Sequence, residues 1–384
     1  MELRALFLLF FRLGLTAFGG PAAHVAIMRD EIVTRRAWLT SAEFLDFVGA
    51  TNLIPGPNST ELAMHVGRHR AGLPGLVVAG TSFLAPAATI SACVAAAYVR
   101  YGTLPEVRAA TYGIQPVLVA VVVQALVGLG RTALVSGRLV VLGGLALALT
   151  IARVHEIAIL VAAGLLAIVF RPSGTDAPSA DEDSGKPGAA LLTLPSTFVG
   201  LGATGAVAYS GSTLFLVCLK IGSILFGSGY VLLAFLRTEF VERRGWLTER
   251  QLLDAVAVGQ TTPGPVFSTA TFVGGVLGGP SGALLATLGI FLPSFVFVAM
   301  SGALVPVVRR SPVARAFLDG VNVASLALMA VVTFDLGRAA IVDLPTILIA
   351  IAGATLLLRF RTNATVLVAA GGALGLAVKA WSAS

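Results

Sequence analysis

Two stretches of this 384-residue chain combine residues that break a helix with residues that can hold an anion: Pro55-Gly56-Pro57 and Pro263-Gly264-Pro265. Proline lacks an N–H and collides with the preceding turn, and glycine costs about 1 kcal/mol inside a helix. Each triplet therefore ends one helix and starts another. The new helix opens with unpaired N–H groups and the positive end of its dipole, which suits an oxyanion. Polar side chains stand on both sides, with Asn52, Asn58, Ser59 and Thr60 around the first triplet and Gln260, Ser268 and Thr269 around the second. Asn52, Asn58, Ser59, Gln260 and Ser268 are candidate substrate ligands.

Arg12 and Lys220 sit near the middle of apolar runs that contain no Asp or Glu. A cation at membrane depth is costly and marks a function by default. Two unpaired cations would favour an anionic ligand, and snorkelling toward an interface is the alternative. Shortly after them come Phe18-Gly19-Gly20-Pro21 and Phe226-Gly227-Ser228-Gly229. Gly19, Gly20, Gly227 and Gly229 read as further helix breaks, or else as close-packing positions.

A third set is Arg29, Glu31, Arg35, Arg36 and Trp38, copied as Arg237, Glu239, Arg243, Arg244 and Trp246. Basic residues beside an interfacial Trp satisfy topology rules, and gating loops that touch the substrate are the other reading. Thr40 and Thr248 follow as N-caps. Glu61, His65 and His69 share one helical face that could hold a metal. Arg68 and Arg70 crowd that face, and the counterparts at a shift of 208 residues are Thr269, Val273 and Leu277, so no metal is expected. Glu61, Asp46 and Asp254 are candidate proton carriers. Gly200 to Gly205 matches a dinucleotide fingerprint, but no acid lies between Asp183 and Glu239 and nothing supports a preceding strand. No other catalytic motif is present, so the chain reads as a non-enzyme without a cofactor.

The elements that must position these residues lie in a bilayer. Hydrophobic residues make up 57% and charged residues 12%, with a mean hydropathy of +0.92. A soluble chain carries roughly 25% charged residues, so this one cannot hide its apolar surface in a soluble core. Secreted disulfide scaffolds, disordered chains and nucleic-acid binders are excluded; the net charge of +7 reads as loop Lys and Arg facing lipid headgroups. Cys93 and Cys218 lie in apolar runs and form neither a disulfide framework nor a metal site. Met1 to Ala17 has some features of a signal peptide, but Arg12 and a second copy of the segment argue that it stays in the mature protein.

That copy reveals a tandem repeat. Shifted by 208, residues 12–57 lie over 220–265 without a gap, and 18 of the 46 positions are identical. The same shift pairs Gly67 with Gly275 and Phe83-Leu84 with Phe291-Leu292. The expected organisation is a first repeat over 1–170, a flexible linker over 171–190 and a second repeat over 191–384. Apolar runs near 20 residues can span a bilayer. They fall at about 5–28, 73–99, 109–130, 138–152 and 156–170 in the first half, and at about 212–236, 281–305, 314–334, 341–358 and 363–381 in the second. The run 191–209 is an extra candidate. Between the first two spans of each half, 41–67 and 249–278 form two short helical pieces around the Pro-Gly-Pro, a broken helix or re-entrant hairpin. The fold class is thus an all-α polytopic membrane protein. Breaks at matching places in two repeats point to a transport site. Loop charges put the first-half loops with Arg29, Arg35, Arg36, Arg68 and Arg70 in the cytoplasm but nearly tie in the second half.

The doubled order of Phe-Gly-Gly/Ser, Arg-x-Glu, Arg-Arg-x-Trp-Leu-Thr, Asp and Pro-Gly-Pro resembles the chromate ion transporter family in its long, two-domain form. The resemblance covers most of both halves. Ser228-Gly229 replaces Gly20-Pro21 in the second half, so the two sites need not be equal. The resemblance implies chromate export, chromate resistance, a bacterial inner membrane and halves in opposed orientation. Sulfate enters as a similar tetrahedral dianion. Residue chemistry alone reaches an anion transporter in a lipid bilayer, expected to be secondary active and proton-coupled. A passive anion channel or sulfate-type carrier is the alternative, an intramembrane lipid-headgroup enzyme is a remote third, and a homo-oligomer is left open.

Overall fold

A computed structural model describes residues 2–18, 21–170, 208–226, 229, 231–360 and 362–383. Among them the chain forms fourteen α-helices and no strand. The first half contains α1 (Glu2–Thr16), α2 (Pro21–Arg29), α3 (Ser41–Thr51), α4 (Asn58–Tyr101), α5 (Pro105–Ala133), α6 (Gly137–Ile151) and α7 (Glu156–Val169). The second contains α8 (Gly211–Ile224), α9 (Leu232–Leu236), α10 (Glu249–Thr261), α11 (Thr269–Arg310), α12 (Pro312–Ala340), α13 (Leu344–Phe360) and α14 (Ala364–Ala383). Four helical stretches, Asn58–Tyr101, Pro105–Ala133, Val266–Ser301 and Pro312–Ala340, are long and apolar enough to cross a membrane. The chain is a multi-pass membrane protein. The candidate span 191–209, apart from its last two residues, and the linker lie outside the described residues.

Local chemistry sets the boundaries. Thr40 and Thr248 cap α3 and α10 as expected, each in a reciprocal capping box, with Glu43 and Gln251 respectively. Pro105 and Pro312 start α5 and α12, where a missing N–H costs nothing. The apolar runs 5–28 and 212–236, expected as single spans, are each two helices. α1 ends at Thr16 and α2 starts at Pro21, while α8 ends at Ile224 and α9 starts at Leu232. The proline of the first interval cannot continue a helix begun before it.

The Pro-Gly-Pro triplets separate α3 from α4 and α10 from α11. A second turn, unanticipated, lies further on: Ala71-Gly72 and Gly278-Gly279 leave helical geometry, with the glycines at φ +62° and +61°. Residues 58–70 fold back on the helix that follows, so a Cβ at Gly67 would strike the Gly75 carbonyl and one at Gly274 the Gly282 carbonyl. These matching contacts also correct the sequence register. After the breaks the shift is 207, pairing Gly67 with Gly274, Pro86 with Pro293 and Glu61 with Ser268. The second half is one residue shorter there and enters α11 through a 3-10 turn, Val266–Ser268.

The halves interlock reciprocally. α1 packs on α4 as α8 packs on α11; α5 packs on α13 and α14 as α12 packs on α6 and α7. Small residues permit the close approach: Gly113 meets Gly371 and Gly375, and its counterpart Gly320 meets Ala163 and Ala167. Equivalent helices meet in opposite directions. Leu76 of α4 clusters with Val298 of α11 and Gly80 approaches Phe295. Likewise Val119 of α5 faces Gly337 of α12 while Gly130 faces Leu326. Membrane-crossing helices related antiparallel by a twofold require an axis in the membrane plane, so the repeats are inverted.

Candidate functional site

The interrupted helices meet between the repeats. The Gly56 N–H donates to the Leu225 carbonyl at 2.9 Å, just past the end of α8, and the Gly264 N–H donates to the Ala17 carbonyl at 3.0 Å, just past the end of α1. Each break thus satisfies an orphan carbonyl of the other repeat's first helix. Gly56 and Gly264 adopt φ of +139° and +97°, which a side chain strongly disfavours. A Cβ on Gly56 would collide with Glu61 Oε1 and Ser294 Oγ; one on Gly264 would lie 2.9 Å from Ala87 Cβ. Non-helical backbone survives at membrane depth only when enclosed by protein or lining a wet cavity, and the contacts of Gly56 and Gly264 enclose both breaks in protein.

A small open pocket between the breaks is lined by His24, Pro57, Asn58, Ser59, Gly229, Pro265, Val266 and Phe267, with a cavity volume of about 10 Å³, room for about one water molecule. Of the expected substrate ligands, the structure brings Asn58 and Ser59 to this wall. Asn52 stands behind it and accepts a 2.9 Å hydrogen bond from the Asn58 amide. Gln260 and Ser268 are buried near the second break, and Gln260 Nε2 and Ser268 Oγ have no hydrogen-bond partner. Pro55 and Pro263 complete the breaks without lining the cavity; Gly19, Gly20 and Gly227 lie outside the described residues.

Arg12 and Lys220 are not the unpaired cations expected from their own spans. Each is bound by a carboxylate of the turn that follows the next helix: Arg12 pairs with Glu31, and Lys220 with Glu239 at 2.6 Å. The interruption after α1 or α8 turns the chain back, and the π-helical turns Asp30–Arg35 and Arg237–Glu242 aim the carboxylates at the cations. Such turns recur at functional sites. Both cations stand five residues, about 7.5 Å along a helix, before the carbonyls that meet the opposite breaks.

The loop residues complete two unequal clusters. Glu31 also faces Arg35 at 3.4 Å and Arg36 at 3.5 Å, and Arg36 and Arg70 lie over the Trp38 ring. Glu239 takes Arg243 at 2.8 Å and Arg244, which lies over Trp246. Arg243 reaches on to Glu156 of α7, while Arg237 binds Glu242, Glu249 and Asp335. Burial opposes ionisation of Glu239, but the Lys220 hydrogen bond and the charges of Lys220, Arg243 and Arg244 win and hold its carboxyl below the ordinary value near 4.5. Arg29, the counterpart of Arg237, ends α2 and makes none of these ion pairs among the described residues.

The three proton-carrier candidates separate. Glu61 is fully buried one turn into α4, next to Ser294 of the other repeat, and no cation pairs with it among the described residues. Asp254 is buried and accepts hydrogen bonds from Tyr98 at 2.7 Å and Gln115 at 3.0 Å. Its counterpart Asp46 is exposed on α3. His65 and His69 pack on the Phe47 ring. Sequence reasoning missed His24, which is buried on the cavity wall; Leu232 at the matching position was the available signal.

Fold and site together define an inverted-repeat membrane transporter, in which paired helix interruptions meet at the repeat interface. The chain belongs to the chromate transporter family, whose description matches residues 4–168 and again 212–376. It is similar to the chromate transport protein of Cupriavidus metallidurans, 31% identical over 97% of this chain and 92% of that one. The chromate transport protein of Pseudomonas aeruginosa is 29% identical over 98% and 92%, and the probable chromate transport protein of Synechococcus elongatus is 28% identical over 88% and 86%. No solved structure matches. Members of this family are transporters, not enzymes.

Proposed function

We propose that the protein exports chromate across the cytoplasmic membrane by secondary active transport coupled to the proton gradient, and so confers chromate resistance. The observation that carries this reading is the meeting of both Pro-Gly-Pro breaks at one cavity between inverted repeats. The anion is held by the first N–H groups of α4 with Asn58 and Ser59, and sulfate is accepted for its similar shape and charge. Each ionic cluster keeps a positive excess: Arg12, Arg35 and Arg36 against Asp30 and Glu31, and Lys220, Arg243 and Arg244 against Glu239 and Glu156. That excess concentrates anions near the breaks. Glu61, buried without a cation, is the proton carrier.

The test is uptake of labelled chromate into proteoliposomes with and without an imposed pH gradient. Accumulation above equilibrium that collapses with the gradient, and is lost in Glu61→Gln, is the expected result. Simple equilibration, unaffected by Glu61→Gln, would make the protein a passive anion channel.

A further inference from the structure

His24 is 1% exposed and belongs to the cavity wall. Its Nε2 lies 3.2 Å from the Ala17 carbonyl, which also receives the Gly264 N–H. A carbonyl only accepts, so Nε2 carries the hydrogen and Nδ1 of the neutral ring holds a lone pair. Nδ1 is buried and has no hydrogen-bond partner. An unpaired acceptor is unfavourable beside an anion, because two lone pairs repel. One proton reverses the sign: the imidazolium presents Nδ1–H as a charged donor, roughly twice as strong as a neutral one.

The surroundings leave this group free to respond to a ligand. α2 packs on α3, α4 and its own π-helical turn. The titratable residues of these elements and of α1 include Arg12, Arg29, Glu31, Asp46, Glu61 and His65, and none hydrogen-bonds or ion-pairs with the ring. The second-half wall brings Pro265, Val266 and Phe267, which do not titrate.

We propose that His24, protonated at Nδ1, is a charged donor to the bound oxyanion, so that anion and proton bind together at the repeat interface. The proposal rests on the reading of this cavity as the anion site. Leu232 at the matching position means that only one of the two repeats supplies this donor.

The experiment measures chromate binding to the purified full-length protein across the mildly acid to mildly alkaline range. Wild type is compared with His24→Leu, which installs the second-half residue, and with His24→Gln, which keeps a donor for Ala17 but does not titrate. Protonation of chromate itself affects all proteins equally and cancels in the ratio of dissociation constants, variant over wild type. That ratio is expected at or below one at the alkaline end, where the Nδ1 lone pair opposes the anion, and to rise by up to about tenfold per pH unit as the pH falls between the free and bound pKa of His24. A pH-independent ratio in either folded variant overturns the role of His24. Gly56→Leu separates the two levels of argument: if it binds chromate like wild type, the cavity reading itself fails, whatever His24 does.

Discussion

Glu31 and Glu239 occupy the same place in the two repeats, yet neutralising them should have different consequences. Glu239→Gln keeps the shape and removes the charge that binds Lys220, Arg243 and Arg244. Its side chain is 1% exposed, and those three cations are 27%, 32% and 19% exposed. Removing one partner of a buried ion pair costs about 3–5 kcal/mol, and the partial exposure of the cations puts this case at the lower end. Glu31 is also buried, but Arg12, Arg35 and Arg36 are 53%, 64% and 35% exposed, and two of the contacts are 3.4 Å and 3.5 Å. Cations that can turn to water make each such pair worth about 0–1 kcal/mol, so Glu31→Gln should cost about 1 kcal/mol. The assay is thermal unfolding of the purified variants in one detergent, read by the loss of monodisperse protein. Adding Arg244→Met to Glu239→Gln should recover part of the loss, because it removes one of the stranded charges. Equal destabilisation by Glu31→Gln and Glu239→Gln, or no recovery in the double variant, would refute the assignment of cost to cation burial.

Gly56→Leu and Gly264→Leu should insert normally and abolish transport, and normal transport by both would remove the breaks from the site. Alanine should be costly at both: the backbone strain is about 1–3 kcal/mol at each, and the added methyl strikes the Glu61 and Ser294 side chains at Gly56 and Ala87 Cβ at Gly264, so both variants should transport less than wild type. Glu239 has a folded pKa below its ordinary value near 4.5, so its stabilisation is present above that value and is lost as the pH falls through the lower folded one. Wild type should lose thermal stability in that acid window, and Glu239→Gln should show a smaller decline.

The sequence made legible those features that a residue encodes locally. Proline and glycine restrict backbone geometry wherever they stand, so both Pro-Gly-Pro breaks can be read directly, whereas the glycines before Pro21 leave a break and close packing as alternatives within one apolar run. Threonine followed three residues on by Glu43 or Gln251 likewise announced α3 and α10. Contacts across elements were not legible. Arg12 looked unpaired because Glu31 lies nineteen residues away, beyond an interruption whose direction periodicity does not specify. The turn at Ala71-Gly72 was hidden for another reason: an isolated glycine within a helical pattern is tolerated at about 1 kcal/mol, so it does not announce a reversal. The change of shift from 208 to 207 followed from the 3-10 turn, which the aligned apolar residues absorbed without a visible gap. His24 had no motif around it and acquired meaning only from the cavity.

The inverted repeat explains why these missed features matter together. A twofold relation forces the two breaks to share a backbone solution, and the reciprocal bonds of Gly56 and Gly264 show that they do. It places no demand on the side chains around that backbone. At the matching positions Glu61 faces Ser268, Ser294 faces Ala87 and His24 faces Leu232. His24 and Glu61, the titratable groups beside the first break, therefore have no titratable counterpart at the second, although the two breaks share the same reciprocal backbone bond. Alternating access in an inverted repeat exchanges the conformations of the halves. A proton on His24 or Glu61 has a different environment in each of the two exchanged states, and only a ligand with different affinity for two states can shift their balance. Under the proton coupling proposed above, the related breaks would supply the two states, and the asymmetric side chains would give the proton a preference between them.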